Sequence, residues 1–244
     1  MTPETRERIK RGLGPLLPVV RKVLHGVRTS WNSRAGLSIR IAAGRTGYTV
    51  PAAIRIARRR PEPPIRALRR YEFDALVQRA PYYRSRWDYL SSAGRIANAL
   101  IARHGLRTAL ELGPHLRPVI VGSDAMDRHS QTELQSEGRV FVHDATTAPW
   151  PFDDKQYDLF VALQVFEHLG DQQAAVFREV RRIAKHAEIS LPIDWVMDDP
   201  SNCHHRISNE MALSWFAPVV PTRIAVGNGG RRTRLIYVFE NLEA

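Results

Sequence analysis

The sequence predicts an α/β fold with a doubly wound, mostly parallel sheet, an antiparallel edge strand, and a basic, mainly helical N-terminal extension. Three observations lead to this prediction. Short apolar stretches alternate with segments of helical period after residue 83. The last two strand-like stretches flank residues 228–230, Asn-Gly-Gly, which is a hairpin signal. The excess of basic residues precedes residue 71.

The composition excludes several classes of protein. The chain has 244 residues, one cysteine, Cys203, and a formal net charge of +11. That length fits one domain with an appendage, and a single thiol excludes an intramolecular disulfide, Cys-based zinc fingers and iron–sulfur clusters. No uncharged apolar stretch approaches the roughly 18–20 residues of a membrane-spanning helix, and the first residues lack the apolar core of a signal peptide. We therefore expect a cytoplasmic protein.

The positive charge is confined to the N-terminal part of the chain. Residues 1–70 contain 17 Lys or Arg and three acidic residues, a net charge of +14, whereas residues 71–244 sum to −3. We therefore predict a basic extension at 1–70 and a separate domain at 71–244. Apolar residues at helical spacing predict an amphipathic basic helix near residues 5–28, which Pro15 and Pro18 interrupt.

Three roles remain open for the extension. Docking on the domain or on a second subunit ranks first. Peripheral attachment to anionic lipid through residues 5–28 ranks second, because such contacts often use a basic amphipathic helix. Nucleic-acid binding ranks third, since the charge suits phosphates but aromatic side chains for base stacking are few.

Within the domain, the period of the apolar residues predicts each element. Residues 83–104 have helical spacing, and Gly105 is placed to end that helix. Residues 157–163 are an apolar run typical of a strand that is buried on both faces. Asp171 is placed to cap a helix that runs to His186. The other predicted elements are a helix at 209–216 and strands at 108–112, before Asp127, and at 140–142, 188–191, 223–226 and 235–239.

Two segments of the domain carry a distinctive pattern. The first is TALELGP at residues 108–114, and the second, more specific one is VFVHDATTAPWPFDDKQYDLFVALQVFEHL at residues 140–169. Both resemble segments of the class I S-adenosylmethionine-dependent methyltransferases, whose sheet is Rossmann-like. The second segment is similar to the family's run of third strand, Asp-Ala, Pro-Phe-x-Asp, fourth strand and Glu-His-Leu. The resemblance covers about residues 85–240 and implies S-adenosyl-L-methionine as the cofactor.

The resemblance also implies a cofactor site at the carboxyl ends of the strands, where ligands lie in open α/β sheets. Glu111 and Gly113 are implied to lie under the methionine part, where glycine permits close approach of the backbone. An acidic residue after the second strand is implied to accept hydrogen bonds from both ribose hydroxyls. We prefer Asp127 to Asp124 for this role, because the apolar pair 125–126 precedes it.

The third and fourth strands supply the rest of the implied site. Asp144 is implied to accept the adenine amino group, and Ala145 to lie beside the ring. Gln164 is implied to close over the cofactor near the transferred methyl group.

The loop after the first strand departs from the family's glycine-rich pattern. It reads Gly-Pro-His-Leu-Arg-Pro, and Asp127 follows Gly113 by only 14 positions. A crossover with a helix needs about 10–12 residues or more, so two prolines here predict a short or missing helix. The loop resembles a methyltransferase subgroup associated with sugar and cell-envelope biosynthesis, and it is equally compatible with a domain that no longer binds the cofactor.

Histidines are the candidates for acid–base chemistry, because methyl transfer to a hydroxyl benefits from a general base matched to pH 7. We favour His204 or His205, which lie in the loop after the fifth strand. For His168, a capping or packing role and a substrate role carry equal weight. Adjacent histidines point apart, and no partner cysteine or carboxylate has ligand spacing, so we expect no metal.

These observations predict an S-adenosylmethionine-dependent methyltransferase that acts on a hydroxyl or similar acceptor of a small molecule, sugar or lipid-linked glycan. One alternative is a non-catalytic scaffold that kept the fold and lost the cofactor. Another is a nucleic-acid methyltransferase that uses the basic extension. The proline-rich first loop favours the scaffold, and the intact segment from Asp144 to His168 favours the enzyme.

Overall fold

The computed structural model describes residues 64–130, 134–228 and 232–243, and these form a seven-stranded sheet covered by helices. The helices are α1 (Arg70–Arg79), α2 (Trp87–His104), α3 (Gln173–Ile183) and α4 (Asn209–Phe216). A separate pair joins β1 (Arg66–Ala67) antiparallel to β3 (Ile120–Val121). The strands of the main sheet are β2 (Ala109–Leu112), β4 (Asp124–Asp127), β5 (Val140–Val142), β6 (Tyr157–Leu163), β7 (Ala184–Pro192), β8 (Arg223–Asn228) and β9 (Arg234–Phe239).

The strand order of the main sheet is β5-β4-β2-β6-β7-β9-β8. The first five strands of this order are parallel, whereas β9 runs antiparallel to both β7 and β8. The chain moves outward from β2 through β4 to β5 on one side and from β6 to β7 on the other. The direction therefore reverses between β2 and β6, which confirms the predicted doubly wound, mostly parallel fold with an antiparallel edge.

Apolar side chains cover both faces of the sheet. One face packs against α3 and α4, and its core includes Phe160 and the contacting rings of Phe177 and Phe216. The opposite face packs against α1 and α2, and its core includes Leu159 and Val161. Successive residues of β6 therefore serve opposite faces, as predicted for a strand that is buried on both sides.

Several predicted bounds agree with the structure. The strands at 140–142 and 157–163 and the helix at 209–216 are found with the same ends. Helix α2 ends at Gly105 as predicted, with a left-handed φ of 67° that glycine adopts at least cost. It begins at Trp87 rather than at residue 83, because residues 81–83 form a separate 3₁₀ turn.

Helix α3 corrects the helix predicted at 171–186. Residues from Ala184 onward belong to β7, because Ala184 pairs with Tyr157 at the start of β6. Strand pairing here overrides a helical spacing that continues past the end of the helix. Asp171 does not cap α3, since the residue at the N-cap is Gln172 and Asp171 Oδ1 accepts a hydrogen bond from Gln172 Nε2 at 2.8 Å.

The connection from β2 to β4 contains no helix, as the two prolines predicted. Its chain forms β3 instead, which pairs with β1. Gly122 has a φ of 84°, and a Cβ at this position would collide with the Pro64 carbonyl oxygen. The described residues 64–70 thus pack against this connection, while the division of the chain at residue 70 stays a prediction.

Residues 1–63 lie outside the described part of the chain. The predicted helix at 5–28 and the three roles considered for the extension therefore stay predictions. The turn at 229–231 is also outside, although both strands of the predicted hairpin are found. Among the residues that are described, no helix is long and apolar enough to cross a membrane.

Candidate active site

The residues implied in cofactor binding share the carboxyl edge of the parallel strands. Gly113 directly follows β2, Asp127 ends β4, and Gln164 directly follows β6. Asp144 follows the end of β5 by two positions. Because the strand order reverses between β2 and β6, Gly113 and Gln164 lie beside the switch point, where doubly wound folds bind ligands.

Glu111 is buried within β2 and bonds to the backbone. The residue is 2% exposed, and its Oε1 and Oε2 accept hydrogen bonds from the N–H groups of Val119 and Ile120, each at 3.0 Å. Burial raises the pKa of this carboxyl to about 7, and the two backbone bonds oppose that rise. Glu111 therefore anchors the chain that enters β3, and its role toward the methionine part stays a prediction.

Gly113 allows the chain to turn sharply at the end of β2. Its φ is 60°, and its N–H donates to the Met126 carbonyl at 2.8 Å. A Cβ at this position would lie 3.0 Å from Cγ2 of Val165. A side chain would be strained in its backbone and crowded by Val165 of the loop after β6, so this position requires glycine.

Tyr83 bonds to the proline-rich loop from the 3₁₀ turn that precedes α2. Its oxygen accepts from the Leu116 N–H at 3.2 Å, and its hydroxyl donates to His115 Nδ1 at 2.9 Å. His115 has a φ of 57°, a left-handed conformation that is uncommon for a side-chain-bearing residue. The unusual loop is therefore an ordered part of the fold, tied by a tyrosine that the sequence analysis did not single out.

Asp144 sits in a tight turn as an ionised acceptor. Its Oδ1 accepts from the backbone N–H of Thr146 at 2.9 Å and from the Thr146 hydroxyl at 2.7 Å, and these bonds lower the pKa of Asp144. Arg128 Nε lies 3.4 Å from its other oxygen. Asp127 Oδ1 accepts from the His129 N–H at 3.0 Å.

Ala145 is buried beside this turn. Its carbonyl accepts a hydrogen bond of 2.9 Å from Nε1 of Trp150, whose ring lies in the core. Trp150, one of the three tryptophans between residues 150 and 215, thus connects the turn after β5 to the core. Asp124, in contrast, lies at the amino end of β4 and bonds to Arg139 and Tyr157, away from the cofactor edge.

Gln164 is held in a left-handed conformation, with a φ of 63°. Its Oε1 accepts from Arg234 Nε at 2.9 Å, while its buried Nε2 has no hydrogen-bond partner among the described residues. Arg234 also lies over the rings of Trp195 and Tyr89, 4.7 and 4.9 Å from their centroids. A buried donor without a partner costs free energy, so this amide is suited to a ligand.

Two of the three candidate histidines meet. His168 lies in the 3₁₀ turn after β6, and His204 lies in the loop after β7. Their ring centroids are 4.9 Å apart with the planes at 82°, and His204 also stacks on Trp195. Cys203 Sγ lies 3.2 Å from His168 Nδ1. His205 is turned elsewhere, with its Nδ1 3.1 Å from both the N and O atoms of Met197.

Burial determines the charge of this group. It lowers the pKa of His168, and it lowers that of His204 together with the neighbouring His168 ring. Both imidazoles are therefore neutral at pH 7. Burial also raises the pKa of Glu167 to about 8, against a lowering effect of Arg234. Neither oxygen of Glu167 has a hydrogen-bond partner among the described residues.

Glu167 and His168 lie before the helix that was predicted to begin at Asp171. These two residues belong to the short turn Phe166–His168, and α3 begins only at Gln173. The spacing along the chain also placed no cysteine or carboxylate to join the histidines. The structure brings Cys203 and Glu167 to them, and a separation of 35 positions between Cys203 and His168 left no local signal.

Residues 97–188 match the family described as a methyltransferase domain. This range runs from within α2 into β7 and contains His168 and every residue implied in cofactor binding. The match confirms the resemblance to methyltransferases over these residues. A comparison with curated protein sequences finds no match.

Solved structures with a similar chain path include methyltransferases. The chain is similar to N-methyltransferase NodS from Bradyrhizobium japonicum, with 15% identity, 67% of this chain and 98% of that chain covered, and a TM-score of 0.47. It is similar to a SAM-dependent methyltransferase from Aquifex aeolicus, with 14% identity, coverages of 70% and 99%, and a TM-score of 0.47. It is also similar to the magnesium protoporphyrin IX methyltransferase of Synechocystis PCC 6803 with bound SAM, with 10% identity, coverages of 63% and 79%, and a TM-score of 0.45.

Proposed function

We propose that the domain binds S-adenosylmethionine beside the β2–β6 switch point and transfers its methyl group to a hydroxyl or similar acceptor of a small molecule, sugar or lipid-linked glycan. The observation that carries this proposal is the convergence of Gly113, Asp127, Asp144 and Gln164 on one edge of the sheet. The match of residues 97–188 to a methyltransferase domain supports the same chemistry.

Three features of this edge fit the cofactor. Gly113 has no side chain at the end of β2, which suits close approach of a ligand to the backbone. Asp144 is an ionised acceptor, which suits an amino group such as that of adenine. The buried Nε2 of Gln164 is a donor without a partner among the described residues, which suits an acceptor atom of a ligand.

Bound S-adenosylmethionine would supply a methyl group activated on a positively charged sulfur. The part of the protein is then to hold the acceptor oxygen about 3–3.5 Å from that methyl group and in line with the sulfur. The acceptor hydroxyl must also lose its proton. His204 can take it, because its Nδ1 donates to Asn202 Oδ1 at 2.8 Å and its Nε2 therefore keeps a lone pair.

Calorimetry of the full chain with S-adenosylmethionine and S-adenosylhomocysteine tests cofactor binding. We expect one site per chain for both. Asp144→Ala should weaken binding about tenfold or more, because a hydrogen bond to a charged group contributes about 1.5–3 kcal/mol. Asp153→Ala, which removes an exposed carboxylate before β6, is the matched control and should bind as the wild type does. A folded wild-type chain that binds neither compound contradicts the proposal.

Release of S-adenosylhomocysteine in the presence of a panel of hydroxyl acceptors tests turnover. His204→Ala with His205→Ala should abolish turnover and leave cofactor affinity nearly unchanged. The single variants then separate the two histidines. We expect His204→Ala to carry the loss, because the His204 ring lies against His168 and Trp195, whereas His205 is turned toward the Met197 backbone. Wild-type turnover in the double variant would refute the role of both.

A second candidate is a non-catalytic scaffold. The observation that favours it is Glu111, because both of its oxygens already bond to backbone amides and the loop beyond it lacks a helix. The same calorimetry separates the two candidates, since a scaffold that lost the cofactor gives no heat of binding with either compound.

A further inference from the structure

A compact group of metal-ligating side chains forms where two loops meet beside the histidines. His168 comes from the turn after β6, and Cys203 and His204 come from the loop after β7. His168 Nδ1 lies 3.2 Å from Cys203 Sγ, and that sulfur lies 3.5 Å from His204 Nδ1. One ligand-type atom from each of the three residues lies within 4.8 Å of the other two.

These separations match those of a zinc coordination shell. Zinc binds sulfur at about 2.3 Å and imidazole nitrogen at about 2.0–2.1 Å, so neighbouring ligand atoms of a tetrahedral site are about 3.3–3.8 Å apart. The distance of 3.2 Å between Cys203 Sγ and His168 Nδ1 is close to this spacing. The three residues lie near enough for small side-chain movements to close the rest, since one ligand-type atom of each is within 4.8 Å of the other two. Thiolate and imidazole together favour zinc over the hard cations magnesium and calcium, which prefer oxygen ligands.

Glu167 provides an independent observation at the same place. Its side chain is 0% exposed, its Oε1 lies 3.7 Å from His204 Nε2, and neither of its oxygens has a hydrogen-bond partner in the described ranges. A buried carboxyl without partners is costly, and a cation beside it would remove that cost. The carboxyl is thus a fourth donor directed at the histidine group.

Asn202 orients the ring that links these groups. Its Oδ1 accepts from both the backbone N–H and Nδ1 of His204, at 3.0 and 2.8 Å. A carbonyl oxygen only accepts, so Nδ1 carries the proton and Nε2 presents its lone pair toward Glu167. Metal-binding histidines commonly have such an outer partner, which sets the tautomer and the ring orientation.

We propose that Glu167, His168, Cys203 and His204 bind one zinc ion, which joins the turn after β6 to the loop after β7. The site is defined by these four side chains and does not require that the domain bind S-adenosylmethionine. With zinc bound, both imidazoles serve as ligands, so the proton transfer proposed for His204 belongs to the chain without zinc. The proposal revises the expectation that no metal binds here.

The test uses the untagged full chain after treatment with a chelator. Calorimetric titration with ZnCl₂ should give one ion per chain. Titration with CoCl₂ should give a near-ultraviolet charge-transfer band from thiolate to cobalt, together with the visible bands of a tetrahedral ion. Cys203→Ser should remove the charge-transfer band, and His168→Gln and His204→Gln should weaken zinc binding by more than the roughly 100-fold that the loss of an outer partner causes.

Two controls keep the outcome interpretable. His205→Gln and His129→Gln replace an adjacent and a distant histidine and should bind zinc as the wild type does, with unchanged far-ultraviolet circular dichroism. In the wild type, zinc should slow the reaction of Cys203 with a thiol reagent, and this measurement needs no variant.

Three outcomes would each overturn the site. They are the absence of stoichiometric zinc binding, equal losses of zinc affinity in His205→Gln and His204→Gln, and a rate of thiol reaction that zinc leaves unchanged. Cofactor binding is measured separately, so failure of the metal site leaves the proposed function intact.

Discussion

The buried carboxyl of Glu111 should make the stability of the domain fall as the pH rises through neutrality. Burial raises its pKa from 4.5 to about 7. The folded chain therefore holds this proton more tightly than the unfolded chain, so its stabilising contribution is complete below pH 4.5 and is lost as the pH rises through 7. At about 1.4 kcal/mol for each tenfold change in proton affinity, the whole loss is about 3 kcal/mol.

Glu111→Gln removes this titration and keeps the size of the side chain. The variant loses one backbone hydrogen bond at every pH, because its amide nitrogen faces one of the two N–H donors, Val119 or Ile120. Urea unfolding of both proteins at pH 5 and pH 8 separates the two effects. Between pH 5 and pH 8, the free energy of unfolding should decrease by about 2–3 kcal/mol more in the wild type than in the variant.

Glu188 shares in this effect. It is fully buried, it aligns with Glu111 across Val161 of β6, and Glu111 contributes to raising its pKa. Glu188→Gln should therefore change the pH dependence in the same direction. Glu137→Gln, at an exposed carboxylate, controls for the loss of one negative charge. The reasoning is refuted if the free energy of unfolding decreases between pH 5 and pH 8 by the same amount in the wild type and in Glu111→Gln. A larger decrease in the variant would refute it as well.

Three further substitutions test the packing around the site. Gly113→Ala should lower the free energy of unfolding by about 1–2 kcal/mol or more and weaken S-adenosylmethionine binding in calorimetry. Gly170→Ala, with a similar φ of 64° and no atom within 4 Å of its Cβ, should cost about 1–2 kcal/mol and leave binding unchanged; equal weakening of binding in both variants would contradict the role of Gly113. Tyr83→Phe leaves His115 Nδ1 and the Leu116 N–H without their hydrogen bond to the tyrosine. The free energy of unfolding in urea should fall by about 1–3 kcal/mol, and a smaller loss would show that other contacts hold the loop after β2. Phe216→Ala empties a fully buried ring position and should cost about 3–5 kcal/mol, which a thermal or urea melt measures; a loss below 1 kcal/mol would contradict the packing described.

Much of the fold is encoded in local patterns. The apolar run at 157–163 predicts a strand buried on both faces, and β6 is such a strand. Successive side chains of a strand point to opposite faces of the sheet, so a strand covered on both faces needs a continuous apolar run. Gly105 ends α2 because glycine adopts a positive φ at low cost. The two prolines after Gly113 predicted the missing helix, since proline lacks the N–H that a helix requires.

The boundary between α3 and β7 needed tertiary information. Helical spacing continues through residue 186, and the chain becomes a strand at Ala184 because β6 offers a partner there. Local spacing cannot report the position of a strand that lies more than twenty residues earlier in the chain.

The sequence by itself predicted the mostly parallel α/β sheet and the strand ends at which Gly113, Asp127, Asp144 and Gln164 lie, but none of α1, β1 and β3. Those features follow from periodicity and backbone preference, which act over a few residues. Only the tertiary structure decided that Glu111 bonds to the backbone before β3 and that Cys203 and Glu167 meet the histidines. Such contacts join segments that are distant in the chain. The protonation of the side chains involved, and the ligands that they can bind, depend on burial that no local pattern encodes.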